Sequence, residues 1–248
     1  MRRNMETIWI LARKELSAYF LSPVAYVFLV IFLALGGFTT FYAGAILDHG
    51  QADLGIFFLW HPWLHLLLVP AIGMSLWAEE RRSGSLELLL TQPLTITQAV
   101  IGKFLGAWLF LGMALALTFP APLTMAWLGN PDPGQIVTGY LGSFLIAGVF
   151  LAITCTTSAL TRNQAVSYIL GLVCCTLLII AGHAAVTDAL LRLFPVWLAN
   201  AIGVLGVSAH TSGMDRGVIP FRDLAYFVTV IGFSLTATGA IVRSRRAG

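Results

Sequence analysis

Six stretches of about 20 residues or more contain no Asp, Glu, Lys or Arg: 24–47, 54–78, 104–128, 136–160, 165–186 and 224–242. Few folds are open to a chain with that pattern. A stretch of this length and apolarity matches the thickness of a bilayer's hydrocarbon core. Inside that core every backbone N–H and C=O must be satisfied by the chain itself, which leaves helices or closed barrels. The runs show no apolar–polar alternation with short turns, so a barrel is excluded. Composition agrees: 58% of the 248 residues are hydrophobic and 10% are charged, with mean hydropathy +0.87. A soluble domain carries about 25% charged residues. An ordinary water-soluble globule, a disordered chain and a nucleic-acid binder are therefore excluded. The expected fold class is an all-α membrane protein, one transmembrane domain over 1–248 with six helices. Gly36, Gly37, Pro70, Pro120 and Pro122 fall inside the runs, which membrane helices tolerate.

The charges orient the chain. With the N-terminus in the cytoplasm, the inner pieces hold Arg2, Arg3, Arg13, Lys14, Arg81, Arg82, Lys103, Arg162, Arg243, Arg245 and Arg246, and the outer pieces hold Arg192, Arg216 and Arg222. Eleven against three is a strong positive-inside bias. It places both termini in the cytoplasm. The apolar stretch 194–209 is interrupted by Pro195 and Asn200. Counting it as a seventh span would put Arg243, Arg245 and Arg246 outside, so it reads as a short re-entrant or interfacial element within an outer loop, 187–223. A cleavable signal peptide is not expected, because the first apolar run begins late and is too long.

Residues 4–22 precede the first span. Met5, Ile8, Trp9, Ala12, Leu16, Tyr19 and Phe20 share one helical face, with Glu6, Arg13, Lys14 and Ser17 opposite or beside it. The pattern predicts an amphipathic helix in the inner membrane interface. It serves as a topology anchor or as a lever on a cytoplasmic partner. Pro23 is well placed to open the first span.

The segment between spans two and three, 79–103, is the most informative. Both signs of charge are followed by Gly84, suited to a sharp turn, then by Leu86, Leu89 and Leu90 at helical spacing, then by Pro93. An exposed apolar run on a cytoplasmic loop calls for a cover, either a soluble protein or the lipid surface. The string Glu79-Glu80-Arg81-Arg82-Ser83-Gly84-Ser85-Leu86-Glu87-Leu88-Leu89-Leu90-Thr91-Gln92-Pro93, with Gly102-Lys103 after it and Leu68-Val69-Pro70-Ala71-Ile72-Gly73-Met74 before it, resembles the signature of ABC-2 type permeases. Ser85 stands where threonine is commoner. A second block, Ser208-Ala209-His210 through Arg216-Gly217-Val218-Ile219 to Arg222-Asp223-Leu224, resembles the gliding-motility (GldF-like) branch, and the nitrous-oxide-reductase maturation permeases (NosY-like) share the plan.

The resemblance implies a permease in the bacterial inner membrane. It also implies that 79–103 is a coupling segment docking on a separate ABC ATPase subunit, present in two copies. Glu79, Glu80, Arg81, Arg82, Gly84, Glu87 and Leu88 lie at or near that contact. It further implies a second permease copy or a paralogue, and a periplasmic auxiliary protein in some members. Membrane lipid is the remaining partner. No cofactor is expected in this chain: Gly-x-x-x-x-Gly-Lys-Ser/Thr is absent, so ATP and Mg would sit on the partner.

Other chemistry is thin. No carboxylate lies inside an apolar run, which counts against an ion-coupled carrier. His61 and His65 are four apart and form an incomplete metal or proton site, or a hydrogen-bonding pair between helices. Thr154, Thr156, Thr157 and Ser158 line a conduit or bond between helices. Gly102 and Gly106 have the spacing of a close helix contact, within the chain or with another copy. Cys155, Cys174 and Cys175 show no metal-type spacing and do not fix the redox compartment. An ATP-independent carrier or scaffold and a membrane-embedded enzyme are the alternative readings. For the enzyme no nucleophile or metal motif is present.

Overall fold

The computed structural model describes residues 2–40, 54–85, 94–128, 132–211, 213 and 217–244. Among them there are helices and turns and no strands. In chain order the α-helices are α1 (Arg2–Leu21), α2 (Pro23–Phe38), α3 (Leu54–Gly73), α4 (Ser75–Ser83), α5 (Ile96–Ala116), α6 (Pro120–Leu128), α7 (Pro133–Leu160), α8 (Gln164–Ala181), α9 (Ala184–Leu193), α10 (Val196–Leu205) and α11 (Phe221–Ser244). A 3₁₀ turn, Val207–His210, follows α10.

Five helical rods are long and apolar enough to cross a membrane: Phe57–Ser83, Ile96–Trp127, Pro133–Leu160, Gln164–Ala181 and Phe221–Ser244. A sixth is obtained if α1 and α2, bent by 79° to one another, count as one broken span. The chain is thus an all-α, multi-pass membrane protein. The bend falls at Ser22–Pro23, where Ser22 is extended and proline opens α2, as the sequence predicts.

The rods overrun the uncharged stretches. The second span continues past residue 78 to Ser83, and the third begins at Ile96 rather than 104, so Glu79, Glu80, Arg81, Arg82 and Lys103 are helical residues at the rod ends. Charge is excluded from the middles of the helices, not from their full length. The fifth span is shorter than its apolar run: it stops at Ala181, and His183 caps a separate helix. The cause is a backbone crossing, since Gly182 and Gly206 touch with no room for a side chain on either. That crossing folds the outer segment back on the end of α8. Exposed Trp9 at one end of the bundle, and Trp127 and Trp197 at the other, suit the two interfacial belts.

The core forms around α7, which packs against α3, α4, α5, α8 and α11. Phe150, Leu151, Val149 and Ala152 on α7 are fully buried with Trp77, Leu111 and Ile179. The hydroxyl cluster on α7 is spent on structure. Thr156 Oγ1 bonds Ser234 O and Thr238 Oγ1 of α11, both at 3.0 Å. Ser158 Oγ accepts from the N–H groups of Trp77 and Ala78 at 3.0 Å and donates to Met74 O at 2.8 Å. It thereby satisfies the backbone groups freed where α3 breaks into α4.

Helix α1 does not rest on lipid with its whole apolar face. Its Ile8, Leu11, Ala12, Glu15 and Tyr19 side meets α5, while Met5 and Trp9 stay exposed at 71% and 59%. Gly102 and Gly106 are the reason. A methyl at Gly102 would lie 2.6 Å from Leu11 Cβ, and one at Gly106 would lie 2.6 Å from Ala12 O. The small-residue pair therefore receives a helix of the same chain.

Candidate functional site

Three charged side chains converge where α1, α4 and α5 meet. Lys103 Nζ lies 2.9 Å from Glu80 Oε1 and 3.5 Å from Glu15 Oε2, donates to Leu76 O at 3.0 Å, and sits 5.4 Å from the centre of the Trp77 ring. Its side chain is 8% exposed, and both glutamates are 23% exposed. Each helix supplies its residue for a local reason. Glu15 shares the packing stripe of Ile8, Ala12 and Tyr19 at helical spacing. Lys103 adjoins Gly102 and so reaches the same crossing. Glu80 lies one turn beyond Leu76 and Trp77, which are buried against α7. Glu80 Oε2 is buried and without a hydrogen-bond partner among the described residues.

Neighbouring bonds extend this cluster to two more helices. Arg81 Nη1 donates to Ala159 O at 2.7 Å, at the end of α7. Gln164 Nε2, at the start of α8, donates to Glu79 Oε2 at 2.8 Å. Trp77 Nε1 donates to Cys155 Sγ at 3.1 Å. Helix α4 is thereby linked to α1, α5, α7 and α8 around its circumference. It ends at Gly84, whose φ of 75° lies in the left-handed region that favours glycine.

The residues singled out in the sequence fall as follows. Glu79, Glu80 and Arg81 join the cluster that ties α4 to its neighbours, Arg82 is exposed, and Gly84 makes the turn. Glu87 and Leu88, with Leu86, Leu89, Leu90 and Pro93, lie outside the described residues. Lys103 was legible only as half of a Gly-Lys pair, and Glu15 was missed. The usable signal was a carboxylate in register with the buried stripe of an amphipathic helix.

His61 and His65 are 1% exposed, on α3. His61 Nδ1 bonds Ser143 Oγ of α7 at 2.5 Å, and His65 Nδ1–H donates to the His61 carbonyl at 2.6 Å. Phe57, Phe58 and Phe32 pack against their rings. No group of three or more metal-ligating side chains occurs among the described residues. The pair is thus hydrogen-bonded to α7 and within α3. In the outer segment, away from the Lys103 cluster, His210 is 3% exposed, with Nδ1 2.7 Å from Asp223 Oδ1 and Nε2 2.9 Å from Val204 O. Its ring stacks on Tyr226 at 3.9 Å, and Tyr226 in turn donates to Leu205 O at 2.6 Å. These contacts latch the outer segment to the start of α11.

Comparison with known proteins adds two findings. The model of the family described as "ABC-2 family transporter protein" matches residues 64–195, just over half of the chain. A protein of Pseudomonas aeruginosa named "Probable ABC transporter permease protein NosY" is 29% identical, over 88% of this chain and 88% of its own length.

Proposed function

From the premise that this chain belongs to the ABC-2 transporter family, we propose that it is the non-catalytic membrane subunit of an ATP-driven complex in the bacterial inner membrane. Its termini are cytoplasmic, and two ABC ATPase chains bind ATP and Mg beneath it. A second copy or a paralogue completes the membrane part. Residues 79–103 form the coupling segment, with Glu79, Glu80, Arg81, Arg82, Gly84, Glu87 and Leu88 at or near the ATPase. The complex acts as an exporter, or it passes force to a periplasmic auxiliary protein.

What supports this reading is the charge cluster at the base of α4. A coupling segment transmits motion only if it is joined stiffly to the spans. Lys103 joins the α4 end of the segment to α5 and α1, while Arg81 and Glu79 join it to α7 and α8. A push delivered beyond Gly84 would then move several helices together and would not simply bend a loop. Glu79, Glu80 and Arg81 set the stiffness, and Arg82, Glu87 and Leu88 meet the ATPase.

The test is co-expression with a candidate ABC ATPase from the same organism, followed by co-purification and ATPase measurement in proteoliposomes. Gly84→Val and Glu87→Ala are expected to weaken association and stimulation of ATP hydrolysis while leaving the spans folded. Unchanged association and stimulation in both variants would remove the coupling assignment.

A further inference from the structure

A groove of about 400 Å³ runs between the start of α5 and the last half of α11. Val100 and Ile101 form one wall, and Gly232, Thr236 and Gly239 form the other. Arg243, exposed at the end of α11, stands at its mouth, and no carboxylate lines it among the described residues. A side chain added at Gly232 or Gly239 would meet nothing within 4 Å, so both glycines face open space. From Gly232 to Arg243 the groove extends about 16 Å along the helix. The other side of α11 is fully used: Phe227, Ser234, Thr238 and Val242 are buried against the bundle.

The geometry points to one anionic phospholipid held in this groove. Its acyl chain lies against Val100, Ile101 and the two glycines, and its phosphate meets Arg243. Apolar depth plus a cation at the mouth, Arg243 among the described residues, is the complement of such a lipid. Basic pockets between spans on the cytoplasmic side are suited to anionic head groups. A phosphatidylcholine offers the same chain with a head group of no net charge, so Arg243 discriminates between them. Placing the lipid in the cytoplasmic leaflet rests on the orientation proposed above.

The experiment uses the full-length chain in mild detergent, stripped of lipid and titrated with phosphatidylglycerol or phosphatidylcholine under native mass spectrometry. One phosphatidylglycerol per chain is expected to saturate first. Arg243→Ala should weaken it about fivefold and weaken phosphatidylcholine, whose phosphate is balanced by its own choline, by less. Gly239→Leu, which grows into open space, should weaken both lipids about tenfold with an unaltered melting temperature. Equal binding of the two lipids, or an Arg243→Ala variant that binds like the parent, overturns the proposal. So does efficient disulfide formation between two Thr236→Cys chains, which would make the groove a contact between copies. Impermeant thiol labelling of Arg243→Cys from outside intact cells would overturn the leaflet assignment. ATPase stimulation, measured on the same variants reconstituted with the ATPase chain, reports separately on the proposed function.

Discussion

Removing the amine of Lys103 is the sharpest perturbation available. The Glu80 and Glu15 oxygens lie 2.9 and 3.5 Å from Nζ. At an effective dielectric constant of about 20 those separations correspond to gross attractions of about 6 and 5 kcal/mol. Most of that offsets the desolvation of a cation that is 8% exposed. The net loss on removing one partner of a fully buried pair is about 3–5 kcal/mol, because a charge is left uncompensated. Here the two carboxylates retain 23% exposure and can recover some water, which brings the expected cost of Lys103→Met to about 2–3 kcal/mol. That is roughly a 30- to 150-fold change in the folded-to-unfolded ratio.

The assay is reversible unfolding in mixed micelles, run as a double-mutant cycle. Glu80→Gln alone should also destabilise. Combined with Lys103→Met it should recover at least about 1 kcal/mol, since the nearer of the two orphaned charges is gone. A Lys103→Met cost below about 0.5 kcal/mol, or strict additivity with Glu80→Gln, would refute the argument that this cluster binds α1, α4 and α5 together.

Three further outcomes follow from other contacts. Gly106→Val places carbon where Ala12 O and Glu15 lie, so it should separate α1 from α5 at about 1–3 kcal/mol and expose α1 to limited proteolysis; an unchanged digestion pattern would contradict the crossing. Ser158→Ala leaves the Trp77 and Ala78 N–H groups without their acceptor and should cost about 1–3 kcal/mol in thermal unfolding, whereas Thr229→Ala on the exposed surface should cost little. Asp223→Asn and His210→Ala should each raise hydrogen exchange over 196–210 without changing α7; equal exchange in all three proteins would show that the His210 latch holds nothing.

The family resemblance drawn from Glu79 to Pro93 agrees with the match over 64–195, even though part of that string lies outside the described residues. The histidine pair was open between ligation and hydrogen bonding from its spacing alone. Packing gives both Nδ1 atoms a partner, Ser143 and the His61 carbonyl, and leaves His61 Nε2 buried without a hydrogen-bond partner among the described residues. The threonine cluster was equally open. For Thr156 the contact between helices is seen, since α11 places Ser234 and Thr238 opposite it.

The uncharged runs by themselves determined that the chain is helical and that it spans a membrane several times, and single residues outside them marked Pro23 as the opening of a span and Gly84 as a turn. Those properties depend on transfer free energies and backbone limits that act within one window of about 20 residues. Where each rod ends, and what the few charges do there, was decided only in three dimensions. Glu15, Glu80 and Lys103 are far apart in the chain. They meet because Gly102 and Gly106 let α1 approach α5, and because Ser158 carries α4 past the break in the second span. Hydropathy is summed along the chain, whereas the partner of a buried charge is set by which backbones can approach closely.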